Sequence, residues 1–218
     1  MEDKDFIQLW KAQDAKLEQS LALNLRVLRE LQNLKAKSAM ASLSRVMVAG
    51  IVAGILWLAL LGFALAIAIW QFSPNGIYFV VSMGAIFLIN LKGVADYIRQ
   101  LTWAQAIDYE GSIAAIQGQL SRLRLSVIRN IRFMVLQFPF WTTFYLSPAW
   151  FPQTVPAGYL ILQIAVTAAF VWLAWFLYQK LDIRNADKAW YVKLLAGTGG
   201  KSVLEAIGYY RELEAFKK

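Results

Sequence analysis

Residues 46 to 70 read VMVAGIVAGILWLALLGFALAIAIW, 25 consecutive residues without a charged side chain. An α-helix of this length reaches about 37 Å, which exceeds the roughly 30 Å of a bilayer hydrocarbon core. Hydrophobic residues make up 59% of the 218-residue chain, above the about 45–50% of soluble domains. The run therefore predicts a transmembrane helix, and the composition predicts an integral membrane protein.

Three more uncharged runs follow along the chain. Residues 157 to 178 are long enough to span a bilayer, whereas the shorter run of residues 77 to 91 would rely on Lys92 extending to the interface. Residues 133 to 151 contain Pro139 and many aromatic residues, which predicts a kinked span packed against its neighbours. The predicted fold class is all-α: a polytopic membrane protein with four transmembrane helices in two hairpins.

The positive charges predict the orientation of these spans. Of the 22 Lys and Arg residues, eight precede the first span, six lie between the second and third, and eight follow the fourth. The connections at residues 71 to 76 and 147 to 156 carry no charge. The positive-inside rule then places both termini and residues 92 to 132 in the cytoplasm. The alternative is two or three spans, with residues 77 to 91 or 133 to 151 buried or re-entrant, although an odd count would leave a basic block outside.

The charged segments outside the spans are predicted to be helical. Residues 1 to 45 form a cytoplasmic amphipathic helix without Pro or Gly, free to continue into the first span. Residues 92 to 132 form a cytoplasmic helical hairpin that turns at residues 109 to 112, with Ser112 as the N-cap of its second arm. Residues 179 to 218 form a cytoplasmic helical tail.

The first helix carries a heptad-like stripe, which is the candidate partner-binding surface. Such a stripe can pack on the protein's own helices, on a second copy of the chain, or on a different soluble protein, and a polar Asn within it can fix the register. Its members are Trp10, Leu17, Leu21, Asn24, Leu28 and Leu31.

The predicted spans contain features of helix packing. Gly50 and Gly54 form a GxxxG motif, which predicts a close intramolecular helix contact, with a homodimer face as the alternative. No Asp, Glu, Lys or Arg lies within a span, where a proton relay or ion site normally shows itself. The polar residues at depth are expected to bond the spans together: Ser82, Asn90, Gln137, Thr142, Thr143, Gln163 and Thr167.

The chain has neither His nor Cys, which excludes disulfides, thiolate catalysis and the common zinc sites. The segment LAGTGGKS at residues 195 to 202 differs from the phosphate-binding pattern GxxxxGKS, because residue 195 is Leu and no strand is predicted before it. The sequence therefore predicts no enzyme, no catalytic residue, no cofactor and no metal. Despite the net charge of +8, it contains no recognisable nucleic-acid-binding module.

The N-terminal stripe also carries a family resemblance. The residues that carry it are Leu9, Trp10, Lys11, Gln13, Asp14, Lys16, Leu17, Glu18, Leu21, Asn24 and Leu28. This pattern, LWxxQDxKLExSLxLN, resembles the N-terminus of a family of small bacterial membrane proteins with four spans. The resemblance implies the bacterial inner membrane, a genomic association with sigma factors of the extracytoplasmic-function type, and a role as an anti-sigma factor. It brings no catalytic residues.

These patterns together predict a non-enzymatic, membrane-anchored regulatory or scaffolding protein. Its cytoplasmic helices would bind a soluble protein, which the resemblance suggests is a sigma factor, or a second copy of the chain. The alternative is an oligomeric channel or small transporter, in which several copies form a pore that a single copy lacks.

Overall fold

The computed structural model describes residues 2–182, 185, 188, 190, 191, 202, 203 and 205–207. Within these residues the chain is helical and contains no strand, so the predicted all-α class is confirmed. The α-helices of this part of the chain are α1 (Glu2–Trp70), α2 (Ile77–Gln105), α3 (Ile113–Met134) and α4 (Ala157–Lys180). Two 3-10 helices, Pro74–Gly76 and Val135–Thr142, precede α2 and follow α3.

The helix ends have local causes. α1 is one helix of 69 residues, because no Pro or Gly before Gly50 interrupts its main-chain hydrogen bonds. α3 begins after Ser112, whose hydroxyl oxygen accepts a hydrogen bond from the main-chain N–H of Ala115. The predicted N-cap is therefore confirmed. α4 begins directly after Pro156, whose fixed φ angle suits the start of a helix.

Three helices in the described part of the chain, α1, α2 and α4, are long and apolar enough to cross a membrane. The expected helical span over residues 133 to 151 is not found. α3 ends at Met134, the 3-10 helix Val135–Thr142 follows, and residues 143 to 155 form turns and irregular backbone. The reason is Pro139, which has no N–H to donate and disfavours the α conformation of the residue before it.

The apolar parts of these elements form a row. α1 packs on α2, α2 packs on the 3-10 helix Val135–Thr142, and this 3-10 helix packs on α4. α1 and α4 therefore lie at the two ends of the row, where Phe63, Trp70 and Ile161 are among many exposed apolar side chains. Continuous apolar surface of this extent is typical of a protein that contacts lipid. We call this row the apolar layer.

The largest core lies where the charged parts of the helices meet, and we call this assembly the charged bundle. It joins residues 36–47 of α1, the C-terminal end of α2, α3, and residues 203, 206 and 207. Most of the predicted tail, residues 179 to 218, lies outside the described residues. The buried apolar side chains of the charged bundle are Ala36, Met40, Leu43, Met47, Ala104, Ile107, Ile116, Leu120, Leu123, Val127, Val203, Ala206 and Ile207.

Candidate functional site

α1 extends beyond the charged bundle at its N-terminal end. Its anchor is Arg29, whose Nη2 donates hydrogen bonds to the main-chain carbonyl oxygens of Glu110 (3.1 Å) and Gly111 (2.7 Å) in the α2–α3 turn. Residues 2 to 28 lie beyond this anchor and correspond to about 40 Å of helix at 1.5 Å per residue. We call them the projecting segment.

The α2–α3 turn is clamped to α1 by further contacts. Asn33 Nδ2 donates a hydrogen bond of 3.1 Å to the main-chain carbonyl oxygen of Tyr109, and Lys37 Nζ lies 5.5 Å from the centre of the Tyr109 ring. Burial of this ring raises the pKa of the Tyr109 phenol. Asp108 shapes the turn itself, because its carboxylate accepts a hydrogen bond from the main-chain N–H of Glu110. The two carboxylates at this turn are exposed, as expected of a solvated turn.

The predicted partner-binding stripe lies mainly on the projecting segment and is exposed. Trp10, Leu17 and Leu21 expose 60%, 70% and 54% of their surface. Asn24 and Leu31 are exposed as well, and Leu28 is half-buried. The stripe is thus not packed on the described helices of its own chain.

A different face of α1 packs on the charged bundle, and the sequence analysis missed it. Ala36, Met40, Leu43 and Met47 are buried there. At about 100° per residue, this face is rotated by roughly 100° around the helix axis from the stripe. The spacing of four, three and four residues was a usable signal for this face. The rotation explains how α1 can pack on its own chain and still leave the stripe open.

Both predicted packing glycines lie against α2. A Cβ atom added to Gly50 would come within 3.3 Å of the Tyr97 ring, and one added to Gly54 would come within 2.5 Å of Val94 Cγ2. The missing side chains therefore allow α1 and α2 to approach closely. The motif allowed an intramolecular contact or a homodimer face, and the structure shows an intramolecular contact at both glycines.

The polar side chains of the apolar layer bond neighbouring elements together, as predicted from the sequence. Ser82 and Thr143 share a hydrogen bond of 2.8 Å, which joins α2 to the irregular backbone of residues 143 to 155. Asn90 Nδ2 donates to Gln137 Oε1 at 2.9 Å and links α2 to the 3-10 helix Val135–Thr142. The expectation that these residues hold the elements together is therefore confirmed for both pairs.

Gln163 of α4 makes the densest set of such bonds. Its Nε2 donates to the main-chain carbonyl oxygen of Thr142 at 2.6 Å, and its Oε1 accepts a hydrogen bond of 2.7 Å from the Tyr145 hydroxyl. The hydroxyls of Thr142 and Thr167 lie 3.1 Å apart and add a further link to α4. In a continuous α-helix the main-chain carbonyl oxygen of Thr142 would be hydrogen-bonded within the helix. Here the side chain of Gln163 supplies the hydrogen bond in an apolar surrounding.

Ring contacts define the course of residues 133–151, which we call the irregular stretch. Along α2, Lys92 lies over the Phe133 ring, and Tyr78 lies against the Phe151 ring. The chain therefore runs antiparallel to α2 over 14 residues of that helix, about 21 Å. Along α4, Arg132 meets Tyr178, and Trp150 meets Tyr159. The stretch accordingly lies between α2 and α4 and runs alongside both helices.

A cleft of about 790 Å³ opens between α2, this stretch and α4. Tyr78, Phe151, Trp172 and Trp175 provide aromatic walls. Thr143 and Gln163 contribute polar side chains to the lining, and each is hydrogen-bonded within the protein. The cleft suits an apolar occupant better than a polar one.

The chain has no match in the comparisons with known proteins: no family model, curated protein or solved structure matches it. The family resemblance of the N-terminal pattern therefore stays a prediction. The exposed stripe of the projecting segment is the candidate site.

Proposed function

We propose that the chain is a membrane-anchored scaffolding protein that binds a soluble protein partner through the projecting segment of α1. The observation that supports this proposal most directly is the exposed stripe on the projecting segment, a stretch of helix about 40 Å long that extends beyond the charged bundle. Burial of one Leu side chain contributes about 1.5–3 kcal/mol, so several Leu residues and Trp10 together form a strong helix-in-groove ligand.

The membrane topology belongs to the same proposal. The chain crosses the membrane four times: α1, α2 and α4 cross as helices, and the stretch of residues 133–151 crosses as a 3-10 helix followed by irregular backbone. This stretch is flanked by α2 and α4 over the thickness of the apolar layer, and non-helical backbone at membrane depth is tolerated where protein covers it. The charge asymmetry of the sequence favours a cytoplasmic location for both termini and the projecting segment, and the family resemblance suggests a bacterial cell.

The charge of the projecting segment narrows the class of partner. Residues 2 to 18 contain five acidic and three basic residues, so this part of the helix has a net charge of −2. A partner with a basic surface beside an apolar groove would complement it. The partner that the family resemblance suggests is a sigma factor, which makes the chain a regulator that retains such a factor at the membrane.

The proposal is tested with the full-length chain purified from its native membrane. Replacing Leu21 and Leu28 together by Glu places two charges in the stripe, and we expect the bound soluble protein to be lost. Leu23→Glu is the matched control, because Leu23 is 62% exposed but lies on another face of the same helix. The protein identified in this way is then purified and added back, and binding should weaken at least tenfold in the double variant only.

Two results would contradict the proposal. One is equal binding of the partner to the double variant and to the Leu23→Glu control. The other is that the stripe holds only further copies of the chain, so that the double variant converts an oligomer into a monomer without losing a second protein. The second result would favour the oligomeric alternative, in which several rows of helices together enclose a pore.

A further inference from the structure

Three boundaries between charged and uncharged sequence meet at one place in the fold. Lys92 is the first charge after the uncharged residues 46–91, and Arg132 is the last charge before the uncharged residues 133–179. The Lys92 Nζ atom lies 4.4 Å from the centre of the Phe133 ring, and the Arg132 Cζ atom lies 4.4 Å from that of Tyr178. Lys92 within α2 is therefore level with the C-terminal ends of α3 and α4, where the apolar layer gives way to the charged bundle.

A pocket of about 320 Å³ lies at this level. Three cationic side chains and two aromatic rings line it, and none of its described lining residues carries a carboxylate. Its lining residues are Lys92, Arg129, Arg132, Phe133 and Tyr178.

Two of the cations are held in place by the protein. Lys92 forms an ion pair with Asp96, which also binds Arg99 Nη2 at 2.7 Å. Arg132 Nε donates a hydrogen bond of 3.0 Å to the main-chain carbonyl oxygen of Tyr178. Both side chains are therefore positioned before any ligand arrives, which lowers the entropy lost on binding.

The pocket keeps a net positive charge when the acidic neighbours of Lys92 and Arg132 are included, because Arg129 is a third cation. Arg132 Nη1 lies 3.5 Å from a carboxylate oxygen of Asp182, so each of the two held cations has one acidic neighbour. Arg129 lies one helical turn before Arg132 on α3, and its side chain is exposed. Its planar guanidinium group can donate two parallel hydrogen bonds to one phosphate.

We propose that this pocket binds the phosphate group of an anionic membrane lipid in the leaflet next to the charged bundle. Lipid phosphates lie at the depth where a span gives way to its first charges, which is the depth of Lys92 and Arg132. Basic pockets between membrane helices are the usual sites for anionic head groups. The rings of Phe133 and Tyr178 face the same pocket and offer apolar surface to the glycerol and upper acyl groups.

The test compares lipid with free phosphate on the purified full-length chain in detergent. Phosphatidylglycerol, phosphatidylcholine with the same acyl chains, and inorganic phosphate are added separately, and the midpoint of thermal unfolding is followed. We expect a saturable rise of the midpoint with phosphatidylglycerol alone. An equal rise with inorganic phosphate would assign the pocket to a dissolved anion, and an equal rise with phosphatidylcholine would remove any role for charge; either result overturns the proposal.

Arg129→Gln then tests the position of the site. Because Arg129 is exposed, its loss leaves the fold intact, and we expect phosphatidylglycerol to bind about fivefold more weakly, the effect of one cation at a lipid surface. Arg45→Gln is the matched control, since Arg45 borders the first uncharged run on α1 and does not line the pocket. An equal weakening in both variants would show attraction to surface charge in general, and the pocket would then not be the site.

Discussion

The side-chain amide of Gln163 donates a hydrogen bond of 2.6 Å to the main-chain carbonyl oxygen of Thr142. This bond connects α4 to the 3-10 helix that replaces the expected third transmembrane helix. The same side chain accepts a hydrogen bond from the Tyr145 hydroxyl, so one residue satisfies two polar groups of the irregular stretch. Because lipid offers no hydrogen bonds in exchange, these groups depend on Gln163.

Replacing Gln163 by Leu keeps the approximate size of the side chain and removes these two hydrogen bonds together with a longer one of 3.3 Å to the Thr167 hydroxyl. We expect the free energy of unfolding to fall by about 1–3 kcal/mol, the cost of leaving buried polar groups without partners. The measurement is the thermal unfolding midpoint of the purified protein in detergent. Gln71→Leu is the control, since Gln71 is exposed beyond the end of α1. Equal losses in the two variants would show that the hydrogen bonds of Gln163 do not stabilise the stretch.

The ends of the apolar helices were predictable because their causes are local. α1 ends at Trp70, α2 begins at Ile77 and α4 begins at Ala157, where the apolar runs end or begin near Pro and Gly residues. Pro139 also predicted an interruption of the helix in this segment. Its result, a 3-10 helix in place of a kinked α-helix, depends on partners such as Gln163 that are distant in sequence, and no local pattern contains them.

The candidate site was predictable only in part, for a related reason. The periodicity of α1 predicts an apolar stripe. It does not predict which of the two apolar faces of α1 packs into the core of the protein itself. The structure assigns Met40 and Leu43 to the charged bundle and leaves Leu17 and Leu21 exposed. That choice is made by α2 and α3, which return to α1 from more than 50 residues further along the chain.

The close approach of α1 and α2 predicts opposite effects for two glycine substitutions. Gly54→Ala would place a Cβ atom 2.5 Å from Val94 Cγ2, so either the Val94 side chain or α1 must shift and the unfolding midpoint should fall. Gly84→Ala is the matched control, because no atom lies within 4 Å of the added Cβ and Ala favours a helix over Gly. The double variant Gly54→Ala with Val94→Ala should regain part of the loss. Without such recovery, the contact with Val94 is not the cause.

The topology predicts which positions an impermeant thiol reagent reaches in intact cells. The chain has no Cys, so single Cys variants report one position each. We expect labelling of Asn75→Cys and Gln153→Cys from outside, because both residues are exposed in the uncharged connections, Asn75 in the short 3-10 helix and Gln153 in a turn. Glu110→Cys should react only after the cells are permeabilised. If Gln153→Cys also required permeabilisation, the stretch of residues 133–151 would enter and leave on one side, and the four-crossing proposal would be wrong.

The anchor between α1 and the α2–α3 turn predicts unequal roles for two neighbouring arginines. Arg29 binds two main-chain carbonyl oxygens of the turn, whereas Arg26 makes only an exposed ion pair of 3.5 Å with Glu30 on its own helix. Arg29→Gln should therefore lower the free energy of unfolding of the charged bundle by about 1.5–3 kcal/mol, and Arg26→Gln by less than about 1 kcal/mol. Hydrogen exchange should quicken at the main-chain N–H groups near Gly111 in the Arg29 variant alone. Such local loosening would show that the turn holds the projecting segment in place; unchanged exchange there, with both variants equally stable, would mean that the apolar core around Met40 and Leu43 is sufficient to position α1.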